Sequence, residues 1–253
     1  MYQYFDLGNH LHIPMYNLMI GVGILFGALV LERQIKNMNL KCDIETDLYI
    51  GIALSVIAAF LGAKLFYLLY NKQDISLNNI INGGMTYYGG FICAAATLIS
   101  YYIIRQRNIL FMLNTIVPSL VIAHAFGRIG CFLGGCCFGE PTDTLIGVNF
   151  PDGSIPFNYY GEDIKIYPVQ LFESIFLFIL LAIITKVVKF DKNLITYLIS
   201  YGFFRFFIEY FRGDDRGVLF TNLLSPSQII SILFVILGIL LYTVSKKKEN
   251  VSL

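Results

Sequence analysis

Residues 48–70 read LYIGIALSVIAAFLGAKLFYLLY, an almost uninterrupted apolar stretch in which Lys64 is the only charged residue. A transmembrane α-helix needs about 20 consecutive, predominantly apolar residues, whereas shorter apolar stretches fit inside a soluble core. This stretch therefore predicts a helix that crosses a lipid bilayer. Comparable stretches recur along the chain, and we predict seven spans, at about residues 15–31, 48–70, 88–104, 109–127, 168–188, 194–211 and 226–244.

The composition of the whole chain supports an integral membrane protein. Of its 253 residues, 57% are hydrophobic and only 14% are charged, whereas soluble domains average about 25% charged residues. This much apolar material excludes intrinsic disorder and argues against a water-soluble enzyme. Because 18 Lys and Arg nearly balance 17 Asp and Glu, we expect no nucleic acid partner.

Basic residues lie on alternating connections between the predicted spans. They are Arg33, Lys36 and Lys41, then Arg105 and Arg107, then Lys186, Lys189 and Lys192, and finally Lys246, Lys247 and Lys248. Connections rich in Lys and Arg face the cytoplasm. This pattern predicts an outside N-terminus and an inside C-terminus, which requires an odd number of spans.

The connection at about 128–167 then faces outward. It contains turn-forming Gly, Pro, Asp and Asn, and we expect a small extracytoplasmic cap with short strands at 145–150 and 164–167. Residues 1–14 have no Lys or Arg, so they lack the basic region of a secretory signal, and we expect the first span to be retained as an anchor. The predicted fold class is an all-α membrane protein with a single polytopic domain, 1–253.

Ionisable residues inside predicted spans are costly and therefore mark candidate functional positions. Lys64 lies in the second span, Glu173 in the fifth, and Arg205 and Glu209 in the sixth. Arg205 and Glu209 are four residues apart and share a helix face. They form either a structural ion pair or part of a cationic pocket for a lipid phosphate, which arginine binds through its planar fork.

Two glycine-rich stretches flank predicted spans. Residues 127–139 read GRIGCFLGGCCFG, and residues 83–90 read GGMTYYGG. Glycines allow helices or a ligand to approach the backbone closely, but helix packing does not explain Arg128 within the first stretch. Tyrosine at a membrane interface is commonly an aromatic anchor, which is the simpler interpretation of the two tyrosines in the second stretch.

The five cysteines leave several interpretations open. Cys131, Cys136 and Cys137 do not have a standard zinc spacing, and His124 is the only histidine near them, so we predict no metal site. A disulfide would leave at least one free thiol, because the total is odd. Tight packing of small side chains is the commonest explanation.

Together these stretches resemble the prolipoprotein diacylglyceryl transferase family. Residues 127–139 resemble its signature, and residues 83–90 resemble its other glycine-rich motif. Residues 167–173, YPVQLFE, are similar to its His-Pro-x-Gln-Leu-Tyr-Glu stretch, and residues 201–212, YGFFRFFIEYFR, resemble its essential-arginine helix. Tyr16 and Gln228 fall where the family has a Tyr in the first span and a Gln in the last. The similarity runs from about residue 12 to 244.

The resemblance implies an enzyme of the bacterial cytoplasmic (inner) membrane that moves a diacylglyceryl group from phosphatidylglycerol to the lipobox Cys thiol of a prolipoprotein signal peptide. It implies no metal or soluble cofactor. Arg128 and Arg205 would hold the phosphate and stabilise charge on the leaving group. Glu209 and Arg212 would orient these arginines, and Tyr88 takes the third catalytic position. The other substrate-binding candidates are Tyr16, Gly89, Gly90, Gly127, Gly139, Gln170, Glu173 and Tyr201.

Several positions depart from the family pattern. Tyr88 stands where the family has a catalytic His, and a tyrosine with an ordinary pKa of about 10 is a poor base at neutral pH. It would serve if Arg128 assisted its ionisation, or if the acceptor thiol loses its proton another way. Cys131 and Cys136 correspond to the usual Asn and Glu of the signature, and Tyr167 to the His before Pro.

These departures keep two alternatives open. One is a paralogue that transfers a lipid-derived group to a different acceptor, with Cys136 or Cys137 as a candidate nucleophile. The other is a non-enzymatic protein that binds or transports a membrane lipid, for which paired arginines in a cavity would also suffice.

Overall fold

The computed structural model describes residues 4–6, 12–214 and 223–251. The helices are α1 (Met15–Met38), α2 (Cys42–Tyr70), α3 (Leu77–Asn82), α4 (Tyr87–Ile104), α5 (Ile109–Gly134), α6 (Ile155–Tyr160), α7 (Val169–Lys186), α8 (Asn193–Ile208) and α9 (Pro226–Val251). The strands are β1 (Tyr4–Asp6), β2 (His12–Pro14), β3 (Val148–Asn149) and β4 (Lys165–Ile166). β1 pairs with β2, and β3 pairs with β4, both antiparallel.

The helices confirm an all-α, multi-pass membrane protein. In the described part of the chain, six helices are long and apolar enough to cross a membrane: α1, α2, α4, α5, α7 and α9. Such helices satisfy their own backbone hydrogen bonds, as a lipid environment requires. The predicted sixth span corresponds to the shorter α8, which is followed by a 3₁₀ turn at Glu209–Phe211. A seventh crossing, the outside N-terminus and the inside C-terminus stay predictions.

The glycine-rich signature, residues 127–139, is helical for most of its length. We expected the cap to begin at about residue 128, but residues 128–134 belong to α5. Helix α5 continues to Gly134, because its glycines face α1 and allow close packing. A Cβ added at Gly130 would lie 3.2 Å from the carbonyl oxygen of Tyr16, and one at Gly127 would lie 3.7 Å from Ile20. The irregular segment therefore begins at Gly135, where φ is +73°.

The residues form two compact units. The larger unit comprises Met1–Arg33 and Asn114–Leu253, and its buried apolar core lies where α5, α7 and α8 contribute Val117, Val121, Ala125, Leu177, Leu180, Ile184, Tyr197, Leu198 and Tyr201. A second buried apolar cluster consists of Phe138, Phe150 and Ile166, the last of which belongs to β4. Burial of these side chains stabilises the segment between α5 and α7.

The smaller unit, Gln34–Leu113, is built on the packing of α2 against α4. A Cβ added at Gly89 would lie 2.6 Å from the carbonyl oxygen of Gly62, and one at Gly90 would lie 3.0 Å from that of Ala59. Small residues of this kind allow helices to pack closely in membranes. Gly89 and Gly90, predicted as substrate-binding residues, thus have a packing role in this unit.

Two charged side chains in the smaller unit have structural partners. Lys64 donates to the carbonyl oxygens of Ile81, at 3.0 Å, and Gly83, at 2.5 Å. The candidate functional lysine of the second span therefore anchors the segment before α4. Asp47, which is 1% exposed, pairs with Nε of Arg105 at 2.8 Å and Nε of Arg107 at 2.5 Å, so its buried charge is compensated.

Candidate active site

Glu173 is the centre of a polar cluster in the larger unit. Its carboxylate is almost fully buried, so its charge requires close partners. Nη2 of Arg128 lies 2.9 Å from Oε2, and the Tyr201 hydroxyl donates to Oε1 over 2.8 Å. Nε2 of His124 lies 3.5 Å from Oε1, and its ring packs edge-on against the Tyr201 ring. One carboxylate on α7 thereby joins α5 and α8.

Arg205 forms a second polar group between α8 and the start of α9. Its Nη2 lies 2.7 Å from Oε2 of Glu209 and donates to Oγ of Ser227 over 3.0 Å. Ser225 donates its hydroxyl to Oε1 of Glu209 over 2.8 Å. The i,i+4 pair expected from the spacing of Arg205 and Glu209 is therefore formed, and two serines hold it in place.

Both arginines keep hydrogen-bond donors that the protein leaves unused. Within the described residues, Nε of Arg128 and Nη1 of Arg205 are buried and have no hydrogen-bond acceptor, which is rare for buried polar atoms. Both guanidinium groups also interact electrostatically with Glu173. An anion with several oxygen acceptors, such as a phosphate ester, suits this pair of donors.

The turn after α5 brings three sulfur atoms together. Sγ of Cys131, Cys136 and Cys137 all lie within 4.8 Å of one another. The backbone N–H of Cys136 donates to the carbonyl oxygen of Cys131 over 3.1 Å, and Nε2 of Gln170 donates to the carbonyl oxygen of Cys136 over 2.8 Å. Gln170, predicted as a substrate-binding residue, therefore holds this turn against α7.

The thiols of this turn differ in acidity. Hydrogen bonds from Cys131 and Cys136 hold the pKa of Cys137 well below its usual range, and the positive charges of Arg212 and Arg128 act in the same direction. Hydrogen bonds to Cys131 and Cys137 raise the pKa of Cys136. The positive charges near Cys137 favour its thiolate form.

Arg212 forms an ion pair of its own, and its expected part in orienting the other arginines stays a prediction. Its Nε and Nη2 donate to the two carboxylate oxygens of Asp214 over 2.9 and 2.8 Å. Its backbone pairs with Gly139 in an antiparallel bridge. A Cβ at Gly139 would collide with the carbonyl oxygen of Tyr167 and lie 2.8 Å from that of Phe211. Gly139 is thus required by this close backbone contact.

The other predicted site residues are placed as follows. Tyr16 lies on α1 against Gly130 and Gly134 of the signature, and Gly127 packs near Ile20 of the same helix. Tyr88 lies in the first turn of α4 in the smaller unit, with its ring edge-on to that of Tyr87 at a centroid distance of 5.8 Å.

Sequence reasoning missed two features of the cluster. His124 lies four residues before Arg128, and this i,i+4 spacing on α5 is the signal that could have placed both on one face. Ser225 and Gln228 form a capping box at the start of α9: the N–H of Ser225 donates to Oε1 of Gln228, and the N–H of Gln228 donates to Oγ of Ser225. The Ser-x-x-Gln spacing is typical of that motif.

Comparison with known proteins identifies the family. A family model described as prolipoprotein diacylglyceryl transferase matches residues 3–244. A phosphatidylglycerol–prolipoprotein diacylglyceryl transferase of Clostridium tetani is 34% identical over 248 residues, covering 95% of this chain and 96% of the relative. A second protein of that name, number 2 of Clostridium perfringens, is 36% identical over 247 residues, covering 94% and 93%. A relative from Finegoldia magna is 29% identical over 248 residues, covering 93% and 92%. The chain therefore belongs to the prolipoprotein diacylglyceryl transferase family.

Proposed function

We propose that this protein is an enzyme that transfers the diacylglyceryl group of phosphatidylglycerol to the lipobox Cys thiol of prolipoproteins. Its relatives are named for this donor and this acceptor, which supports the substrate pair. The observation that carries the proposal is the pair of buried arginines, Arg128 and Arg205, each with a guanidinium donor that has no acceptor among the described residues. Arg128 also pairs with Glu173. Such donors are what a buried phosphate diester requires.

In the proposed reaction, the acceptor sulfur forms a bond to the terminal glyceryl carbon of the donor lipid. The bond between that carbon and the phosphate oxygen breaks, and glycerol phosphate leaves with the electron pair. Negative charge therefore grows on the phosphate oxygens as the bond breaks. Arg128 and Arg205 stabilise this charge from fixed positions, and a single such donor commonly contributes about a hundredfold to a thousandfold in rate.

The surrounding side chains hold the two arginines in place. Glu173 positions Arg128 through the 2.9 Å ion pair, while Glu209 and Ser227 position Arg205. Because two of these partners are carboxylates, the pair of arginines is charge-balanced before the lipid binds. The specificity of the site then depends on directed N–H donors rather than on excess positive charge.

Tyr88, which stands where the family has a catalytic His, is the third proposed catalytic residue, with its hydroxyl as a hydrogen-bond donor to a substrate. In this proposal Tyr88 donates a hydrogen bond and is not the general base, so the thiol proton leaves by another route. The substrates also imply a location: phosphatidylglycerol and the signal peptide of a prolipoprotein meet in the bacterial cytoplasmic membrane. The six apolar helices suit a multi-pass protein of that membrane.

The test uses the purified protein in nanodiscs that contain phosphatidylglycerol, together with a synthetic lipobox peptide. Mass spectrometry of the peptide should show the added diacylglyceryl group, and glycerol phosphate should appear in equal amount. Nanodiscs of phosphatidylcholine alone and a peptide with Ser in place of the lipobox Cys are the controls. A folded protein that binds phosphatidylglycerol without modifying the peptide would contradict the proposal.

A further inference from the structure

The turn after α5 brings together three cysteine thiols that do not have a standard zinc spacing in the sequence. Cys131 is on the last turn of α5, and Cys136 and Cys137 follow immediately after it, with their three Sγ atoms within 4.8 Å of one another. All three thiols are free. Three sulfurs bound to one tetrahedral zinc ion at about 2.3 Å lie about 3.8 Å apart. Each sulfur would therefore need to move by only about 1 Å or less to share one ion.

The backbone presents the sulfurs on one side of the turn. Gly135 and Cys137 both have left-handed conformations, with φ of +73° and +59°, and a non-glycine residue rarely adopts this conformation. The turn is held by the Cys136 N–H bond to Cys131 and by the Gln170 bond to Cys136. Cys136 and Cys137 are half-buried, so an ion could reach them.

The surrounding charge also suits a bound thiolate complex. A divalent ion with three thiolates carries one net negative charge, which a positive neighbour stabilises. Nη1 of Arg128 donates to Sγ of Cys131 over 3.7 Å, and Arg212 acts electrostatically on Cys137. Hydrogen bonds and charges of this kind around a metal site tune its affinity.

We propose that Cys131, Cys136 and Cys137 bind a thiophilic divalent cation of the zinc class. The Cys-x4-Cys-Cys spacing did not predict this site, because a standard structural zinc motif has two separated pairs of ligands, whereas this stretch ends in two adjacent cysteines and has no second pair. The site differs from the expectation of no metal, which came from spacing and from family resemblance. Three protein ligands leave a fourth coordination position open, as catalytic zinc sites do.

In this proposal the acceptor thiol takes the fourth position, which catalytic zinc sites leave to water or substrate. A thiol that coordinates zinc loses its proton, and the proton passes to solvent. The bound acceptor thiolate would then form the carbon–sulfur bond while the carbon–oxygen bond of the donor breaks. This role supplies the route for the thiol proton that Tyr88 does not provide, and it rests on the proposed function. The metal site itself does not.

Metal binding is tested first, without any assay of transfer. The reduced full chain in nanodiscs is titrated with Co²⁺ in a C42S/C93S background, which leaves only the three clustered thiols. We expect one equivalent to bind, with a sulfur-to-cobalt charge-transfer band that Zn²⁺ displaces. C136S and C137S should each weaken binding at least tenfold. Three reduced thiols without a charge-transfer band, or a disulfide that persists under reduction, would overturn the site.

Protection of the thiols from alkylation measures ion binding in the wild-type chain, so it does not depend on the folding of a serine variant. In the wild-type chain, one equivalent of Cd²⁺ should slow iodoacetamide modification of Cys136 and Cys137 at least tenfold. The rate at Cys42 is the internal control and should not change. Equal rates at Cys136 with and without Cd²⁺ would argue against a shared ion.

Transfer to the lipobox peptide then tests the fourth position. Removal of the ion by a chelator should lower transfer at least a hundredfold, and Zn²⁺ should restore it, while binding of phosphatidylglycerol stays unchanged. Full transfer by the chelated protein would overturn the role of the fourth ligand. A protein that binds one ion and never modifies the peptide would overturn the proposed function and leave the metal site standing.

Discussion

Arg128 and Glu173 form a buried ion pair between α5 and α7, with Nη2 of the arginine 2.9 Å from Oε2 of the carboxylate. Neither charge is stable alone in an apolar bundle. The pair leaves Nε of Arg128 without an acceptor among the described residues. Nη2 is therefore held by Glu173, while Nε can donate a hydrogen bond to a ligand. This is the geometry that the proposed phosphate site requires.

Arg128→Lys and Arg205→Lys should each lower transfer to the lipobox peptide by about a hundredfold or more. Lysine keeps the charge but lacks the planar set of donors that a phosphate accepts. The measurement is the initial rate at matched amounts of folded protein. Arg33→Lys, at an exposed position of α1, is the control and should be unchanged. Nearly normal rates for both site variants would show that charge alone suffices.

Glu173→Gln should destabilise the protein by about 3 kcal/mol, because it leaves the buried Arg128 without its counter-charge. Thermal unfolding in nanodiscs measures the effect, and binding of phosphatidylglycerol should weaken in parallel. Glu162→Gln makes the same chemical change at an exposed residue and should leave both unchanged. An unaltered melting temperature for Glu173→Gln would show that the ion pair is not needed for stability.

Tyr88→Phe should lower transfer by about tenfold or less. Loss of one neutral hydrogen bond is worth about 1 kcal/mol, whereas loss of a general base commonly costs a hundredfold or more. The pH dependence is the second measurement: if the proton leaves without Tyr88, wild-type activity should level off before pH 9. A loss above a hundredfold, with activity still rising at pH 9, would make Tyr88 the base.

Gly139→Ala should destabilise the fold by about 1–3 kcal/mol or more, since the added methyl group meets the carbonyl oxygens of Tyr167 and Phe211 and must move the backbone. Gly21→Ala is the matched control on α1. A Cβ there has no neighbour within 4 Å, and alanine is the better helix former, so this variant should be as stable as wild type or more stable. Equal stability for both variants would contradict the close contact.

Ser225→Ala should destabilise the protein by about 1 kcal/mol through loss of the helix cap and should also lower transfer several-fold. The second effect follows because Ser225 donates to Glu209, which positions Arg205. Ser76→Ala removes a comparable cap from α3, where Oγ accepts from the Asn79 N–H over 3.2 Å. It should leave transfer unchanged. The same drop in transfer for both would point to general destabilisation.

The class of the fold could be predicted from sequence because apolar length is a local property. A stretch such as residues 48–70 needs no knowledge of its neighbours to indicate a membrane helix. The end of α5 could not be predicted in the same way. Glycines in the signature resemble a helix break, but they continue the helix because Tyr16 and Ile20 of α1 pack against them.

Within the candidate site, too, only the pairing of residues that are close in sequence could be predicted. Glu209 follows directly after α8 and lies four residues after Arg205, so their pairing was predictable from spacing. The partners of Arg128 were not, because Glu173 and Tyr201 come from helices far along the chain. Arg212 pairs with Asp214 two residues later, a contact that its proposed role did not indicate.

By itself, the sequence determined the membrane-spanning helices, the family resemblance and the two arginines of the proposed phosphate site. These depend on residue type and on spacing along one segment. Only the tertiary structure decided which side chains share Glu173, which residues merely pack, and that three cysteine sulfurs lie together. The physical reason is that hydrogen bonds and metal coordination act over a few ångströms in space, and distance along the chain does not report that separation.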